Sequence, residues 1–413
     1  MLKKLNKSQK TSQKTKWALL WMNLSNEPFV VLYAILPFIF RNDLGASILQ
    51  ISILAALRPV LPVFSFYWSA NLTKRPDLLR SNLMIAWALA RLPFLFVPWV
   101  LNPWYLIFCC AVYEFFNKSG IPALIEILKI NIPKDSREKT YTFYFVLSFV
   151  ESIFLGLILA GFLRSYPSAW HLLCAAAALI SLSSIWIQMK VPIEIKNIQQ
   201  IEVPSFKHRL IGPWKEACAI LQRRPDFARF QWGFMMGGFG LMLIAPSLSL
   251  FYVDILHLEH SQIVMGRSIL MGVGVVLSSY FWRKALTRLS VPQLTMWILM
   301  GFGVFPLVLL LSRMDMQWFY LSFIFYGIAQ AGSHVLWNLS GTLFSQEEDS
   351  SQYSRVNILM SGLRGIIAPA LGGILCAYLG APFMLGVGAC ICFAGVLYMS
   401  RFVESIPIKV LKK

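Results

Sequence analysis

Charge is scarce in this chain, and most of what there is has one sign. Only 14% of its 413 residues are Asp, Glu, Lys or Arg, against 57% hydrophobic, and the mean hydropathy is +0.63. So little charge cannot solvate a water-facing surface, which excludes an ordinary soluble protein. Acids number 19 against 37 bases, for a formal net charge of +18. That excess would suit a nucleic acid, but its placement argues otherwise. Six lysines and no acid fall in the first sixteen residues, directly before apolar sequence. Such a cluster reads as an orientation signal and an anchor on anionic lipid headgroups, so membrane lipids are the expected partner and nucleic acid is not. Catalytic signatures are missing too. There is no His-x4-Asp, no Ser-centred elbow, no Gly-rich phosphate loop and no large polar domain to carry a reaction site. Neither an enzyme nor an ATP-driven pump is expected, and no cofactor is called for. The seven cysteines are not spaced as metal ligands: Cys109, Cys110, Cys174, Cys376, Cys390 and Cys392 lie in apolar stretches and Cys218 in a polar connection.

What the chain has in abundance is long apolar runs. Twelve can be marked, at 17–40, 48–68, 82–100, 103–128, 141–163, 170–189, 230–253, 263–282, 291–311, 318–343, 356–379 and 382–400. Most approach or exceed the roughly 20 residues a helix needs to cross a bilayer core. With the first terminus placed in the cytoplasm, 29 of the 37 basic residues fall in the tails and the loops on that side. The far side holds Arg41, Arg164 and Arg313, and five bases lie within spans. Lys and Arg near span ends resist translocation, so this bias puts both termini inside, in a cytoplasmic (inner) membrane. The first run carries Asn23, Asn26, Glu27 and Pro28 in its middle with no small-residue cleavage site after it, which reads as a retained first helix and not a signal peptide.

The longest connection splits the spans six and six. The expected organisation is a basic cytoplasmic tail (1–16), an N-terminal six-helix bundle (17–189), a cytoplasmic loop (190–229), a C-terminal six-helix bundle (230–402) and a second tail (403–413). Within the loop, Trp214 to Leu221 is amphipathic and is followed by Arg223, Arg224 and Pro225; it reads either as a helix on the inner leaflet or as a solvated linker. The halves resemble each other. Ser65-Phe66-Tyr67-Trp68 at the end of span two is matched by Ser279-Tyr280-Phe281-Trp282 at the end of span eight, and Tyr113 in span four by Tyr326 in span ten. Six-span repeats point to a transporter of two related bundles.

On these residues the chain resembles the major facilitator superfamily over essentially its whole length. The resemblance implies an all-α membrane protein of 12 transmembrane helices in two pseudo-symmetric six-helix bundles, in which one chain acts alone. The loops after spans two and eight sit where that family carries a gate-latching Gly-x-x-x-Asp-Arg-x-Gly-Arg-Arg-like motif. Here Asn71 and Ala285 replace the acid and the glycines are missing, while Lys74, Arg75, Arg80, Arg283, Lys284 and Arg288 keep the charge. In span eleven, Gly362, Gly365, Ala368, Pro369, Gly372 and Gly373 are similar to the family's helix-packing motif, which usually lies in span five.

An ionised side chain at mid-bilayer costs roughly +2.5 to +3.5 kcal/mol on insertion scales, so those present should face protein or a wet cavity. Asn23, Asn26 and Glu27 share one face of span one, and Glu114, Asn117 and Lys118 repeat the spacing in span four. Gln330, His334, Trp337 and Asn338 form a third stripe in span ten. The resemblance implies a cavity lined chiefly by spans one, four, seven and ten, and three of those carry these stripes. Span seven is instead glycine-rich, at Gly233, Gly237, Gly238 and Gly240, for close packing or a hinge. Glu27 reads as a proton-coupling group or solute ligand, against a structural carboxylate. Glu114 and Lys118 read as ligands or as an internal salt bridge. Arg58 and Arg364 either fix contacts between helices or bind an anion, whereas Arg91 reads as a packing partner. His257 and His260 flank Glu259 in an outer loop, where no metal site is expected.

The expected function is secondary active transport of a small polar solute, zwitterionic or anionic, by alternating access with proton coupling open. The alternatives are a drug or lipophilic-solute exporter on the same fold and a non-transporting membrane sensor or scaffold.

Overall fold

The computed structural model describes residues 2–69, 76–192, 206–286, 288–345 and 350–403, and these are helical almost throughout, with no strand among them. Helix α1 (Leu2–Asn42) begins far ahead of the first apolar run. No Pro or Gly stands before Pro28, so nothing separates the basic segment from the span and the lysines continue the same helix. Helix α2 (Ile48–Ser69) contains Pro59 and Pro62.

Two spans are interrupted where the sequence contains helix breakers. Span three is α3 (Leu79–Arg91) followed by a 3₁₀ turn (Leu92–Phe96) that starts at the Pro93 break. Span four divides at Gly120 into α4 (Pro103–Ser119) and α5 (Ile121–Asn131), with Pro122 opening the second piece. A proline lacks the N–H that a continuing helix would bond, and its ring crowds the carbonyl four residues back. Helix α4 starts cleanly because Asn102 accepts a hydrogen bond from the Trp104 amide at 2.8 Å. Helices α6 (Lys134–Ser165), α7 (Trp170–Gln188), α8 (Phe206–Arg223) and α9 (Pro225–Leu250) follow, and a π-helical turn (Phe251–Ile255) closes α9. Span eight is α10 (His260–Val264), a second π-helical turn (Met265–Leu270) and α11 (Met271–Leu286). Helices α12 (Val291–Leu310), α13 (Met316–Ser345), α14 (Ser350–Leu379) and α15 (Ala381–Ser400) complete the chain, α12 starting at a Ser290–Gln293 capping box. Among the described residues, eight helical segments are long and apolar enough to cross a membrane by length and composition, including Lys10–Asn42, Pro225–Ile255 and Val291–Arg313. Their outer surfaces keep large apolar side chains exposed, such as Phe281, Leu397 and Trp297. Water would penalise such a surface and lipid does not.

The chain falls into two compact units. One comprises Met1–Leu36 with Phe64–Val203, the other Pro37–Val63 with Pro204–Lys413. In the first, Ala18 and Met22 of α1 pack with Leu79 and Leu83 of α3 and Ala123 and Ile127 of α5. In the second, Phe227, Phe230 and Phe234 of α9 pack with Leu294, Ile298 and Phe302 of α12 and with Phe344 of α13. Glycines set how closely these helices approach. A methyl group at Gly372 of α14 would overlap the Leu243 carbonyl of α9, and one at Gly365 would overlap Pro59 of α2. The glycine-rich α9 and α14 are therefore close-packing elements.

The repeat read from the sequence recurs in the packing of each unit. Trp68 packs edge-on against Phe116 of α4, ring centroids 5.3 Å apart. Trp282 donates its indole N–H to the Ile328 carbonyl of α13 at 2.8 Å and lies over Gly332. Tyr113 joins Phe94 and Tyr326 joins Phe305, each from span three or its counterpart, span nine.

Candidate functional site

The polar stripe of span one meets a buried cation. Arg91, fully buried at the end of α3, donates from Nε to Ser181 Oγ at 2.7 Å and from Nη1 to the Trp87 carbonyl at 3.2 Å. Its Nη2 donates to Asn26 Oδ1 at 2.7 Å and reaches Asn117 Oδ1 at 3.4 Å. The guanidinium also lies 3.6 Å from the centre of the Trp87 ring, a cation–π contact strengthened by burial. Ser181 Oγ donates in turn to Asn26 Oδ1 at 3.1 Å. Arg91 thus ties α1, α4 and α7 to α3, as the packing role requires. A guanidinium only donates, so the carbonyl oxygens of Asn26 and Asn117 must face it.

Glu27, 5% exposed, accepts a short hydrogen bond from Ser152 of α6 and forms no ion pair among the described residues. Glu114, 2% exposed, accepts from the Tyr33 hydroxyl at 2.9 Å. Tyr33 is held against Tyr113, centroids 4.5 Å apart, within a cluster that includes Phe29 and Phe94. Lys118 is half-buried one turn beyond Glu114. The Nδ2 of Asn23 and an oxygen of Glu151 are buried without a hydrogen-bond partner. Spans one and four therefore bring Asn23, Asn26, Glu27, Glu114, Asn117 and Lys118 into one unit. Tyr33, Ser152 and Ser181 complete that cluster, although the sequence reading did not single them out. Hydroxyl side chains are common in such spans, and only their contacts set these three apart.

In the second unit, Gln330 Nε2 and His334 Nε2 are 3.1 Å apart on successive turns of α13. Trp337 packs on Phe234, centroids 5.7 Å apart, while the Asn338 side chain lies outside the described residues. Arg364 of α14 is 8% exposed and donates from Nη1 to the Phe234 carbonyl at 3.3 Å. Arg58 is exposed on α2. A buried polar chain that escaped sequence reading links three helices: Gln231 of α9 donates a short bond to Asn357 of α14, which donates to Ser340 of α13 at 2.6 Å.

Arg80 donates to the Met189 carbonyl at the end of α7 at 3.1 Å, a favourable place for a cation beside unpaired carbonyls. Arg283, Lys284 and Arg288 are exposed at and beyond the end of α11, Arg283 lying 5.8 Å from the centre of the Tyr280 ring. Lys74 and Arg75 lie outside the described residues. At the opposite end of α1, Arg41 grips Asp254 through Nε at 2.9 Å and Nη2 at 2.7 Å, and His260 pairs with Asp43 at 2.6 Å.

Among curated proteins none matches the chain. Solved structures do match in fold. A D-xylose–proton symporter aligns with a TM-score of 0.70 at 14% identity, covering 97% of this chain and 99% of that one. A POT family transporter in complex with 5-aminolevulinic acid aligns at 0.75 with 10% identity, covering 95% and 96%. The nucleoside transporter NupG aligns at 0.70 with 13% identity, covering 94% and 100%. At such identities the likeness is one of fold. The sequence profile described as Major Facilitator Superfamily matches residues 28–363, four-fifths of a multi-pass, all-helical membrane chain, and the protein belongs to that superfamily.

Proposed function

We propose that this chain is a secondary active transporter that moves a small polar solute, zwitterionic or anionic, by alternating access of its two six-span halves. In this reading both termini face the cytoplasm, the protein resides in the inner membrane, and a single chain suffices. The observation that carries the proposal is Glu27: a carboxylate buried mid-span, held by one hydroxyl and, among the described residues, by no cation. Such a group can gain and lose a proton without breaking an ion pair, which is what proton coupling demands. Glu114, held by Tyr33, is the second carboxylate of the same unit. The solved neighbours include a D-xylose–proton symporter and a transporter holding 5-aminolevulinic acid, which fits a small polar solute.

A lipophilic solute is the competing reading, favoured by the aromatic contacts of Phe29, Tyr33 and Tyr113 and of Phe234 with Trp337. Thermal-shift screening of the purified protein against polar metabolites and lipophilic cations separates the two. The solute so found is then followed into proteoliposomes across a range of pH. Glu27→Gln should remove the pH dependence of uptake; uptake with unchanged pH dependence would exclude Glu27 as the coupling group.

A further inference from the structure

Among the described residues two arginines are buried, and their surroundings are opposite. Every nitrogen of Arg91 has a hydrogen-bond partner, and its charge lies on an aromatic ring. Arg364 is also buried, at 8% exposed, yet only Nη1 is engaged, with the Phe234 carbonyl at 3.3 Å and the Met235 sulfur at 3.8 Å. Its Nε is buried with no partner, and it forms no ion pair among the described residues. A guanidinium carries five N–H donors and keeps its charge at any working pH. A carbonyl and a thioether offer partial charge and no counter-charge. A buried charge without a partner is not tolerated for packing alone.

The wall facing Arg364 is shaped to admit it. Phe234 and Gly238 lie one turn apart on α9, so they share a face. A methyl group at Gly238 would overlap Nη1 and Cζ of Arg364 and come within 2.7 Å of Nη2. The glycine leaves a notch that holds the guanidinium while its remaining donors stay unused.

We propose that Arg364, seated in the Gly238 notch, binds a small monovalent anion of the carboxylate or halide kind through its free N–H groups. A planar guanidinium matches a carboxylate in two parallel hydrogen bonds, and a halide would neutralise the same charge. The carboxylate source rests on the transport reading, since it would belong to the solute. A free halide would bind whether or not any solute moves.

The test uses the full chain in detergent, at constant ionic strength with isethionate as the bulky background anion. Acetate, chloride and bromide are titrated separately while the unfolding temperature is followed. Wild type should show a saturable rise of a few degrees, as for any ligand that binds the folded state. Arg364→Gln, which removes the charge, and Gly238→Ala, which keeps it but fills the notch, should both lose the rise. A response to acetate alone assigns the carboxylate source, and a response to chloride and bromide assigns a halide. No saturable rise in wild type, or a rise retained in both variants, overturns the proposal. Should the variants fail to fold, diffraction from wild-type crystals soaked in whichever of the three anions raised the unfolding temperature decides: density against the Arg364 guanidinium supports the site, and its absence removes it. Because this readout needs no transport, it can fail or succeed independently of the Glu27 experiment.

Discussion

Arg91 and Arg364 carry the same charge at similar burial, but a change at each should cost different things. Arg91→Gln strands the oxygens of Asn26, Asn117 and Ser181 that the guanidinium holds at 2.7–3.4 Å. At about 1–3 kcal/mol for a buried group left unsatisfied, and with part of the set recovered by the glutamine amide, the variant should lose about 3 kcal/mol of stability. Thermal unfolding in detergent measures it. Arg91→Lys should fall almost as far, because one ammonium cannot reproduce a planar fork aimed at three helices. If Arg91→Lys unfolds like wild type, the hub is not what holds α1, α4 and α7. The sequence located Arg91, Asn26 and Asn117 in the membrane without joining them. Residues 26, 91, 117 and 181 sit in four different spans, and periodicity speaks only of neighbours within one helix.

Glycine decides the element scale, and its two uses give opposite outcomes. At Gly372 an added methyl would meet the Leu243 backbone, so α14 and α9 must separate. Gly372→Ala should therefore cost about 1–3 kcal/mol, the usual price of overpacking. At Gly386 nothing lies within 4 Å of an added methyl. Gly386→Ala should be neutral or gain up to about 1 kcal/mol from helix propensity. Unfolding of the two variants side by side checks the contrast; equal losses would contradict it. The breaks in spans three and four fall at Pro93, Gly120 and Pro122, inside runs that read as continuous, because proline and glycine scarcely lower an apolar average. The π-helical turns at Phe251–Ile255 and Met265–Leu270 had no local signal: no proline or run of glycines marks them.

At the scale of the whole molecule, the charge asymmetry can be tested without knowing the solute. Single cysteines in a cysteine-free background should label from outside intact cells at Arg164 and Arg313, and be protected at Lys74 and Lys134. The reverse pattern would overturn the topology. The Arg41–Asp254 pair ties the last turn of α1 to the turn that closes α9, but its side chains are 29% and 37% exposed. Its coupling energy in a double-mutant cycle should stay within about 0.2–1 kcal/mol, and exchanging the two charges should restore most of it. A much larger value would mean that the pair is shielded from water in the folded protein.

The all-helical membrane fold and the twofold repeat were determined by composition, span length, charge placement and the Trp68–Trp282 and Tyr113–Tyr326 correspondences, and the superfamily, a resemblance on those residues, is shown by the profile over residues 28–363. These are one-dimensional properties, since the bilayer acts on each span through its length and its flanking charges. Which polar side chains satisfy one another was decided only by tertiary structure. Asn26 and Asn117 turned out to serve Arg91, Glu27 to rest on Ser152, and Gly238 to make room for Arg364. Hydrogen bonds reach only about 3 Å, and residues scores of positions apart come within that distance only when helices pack.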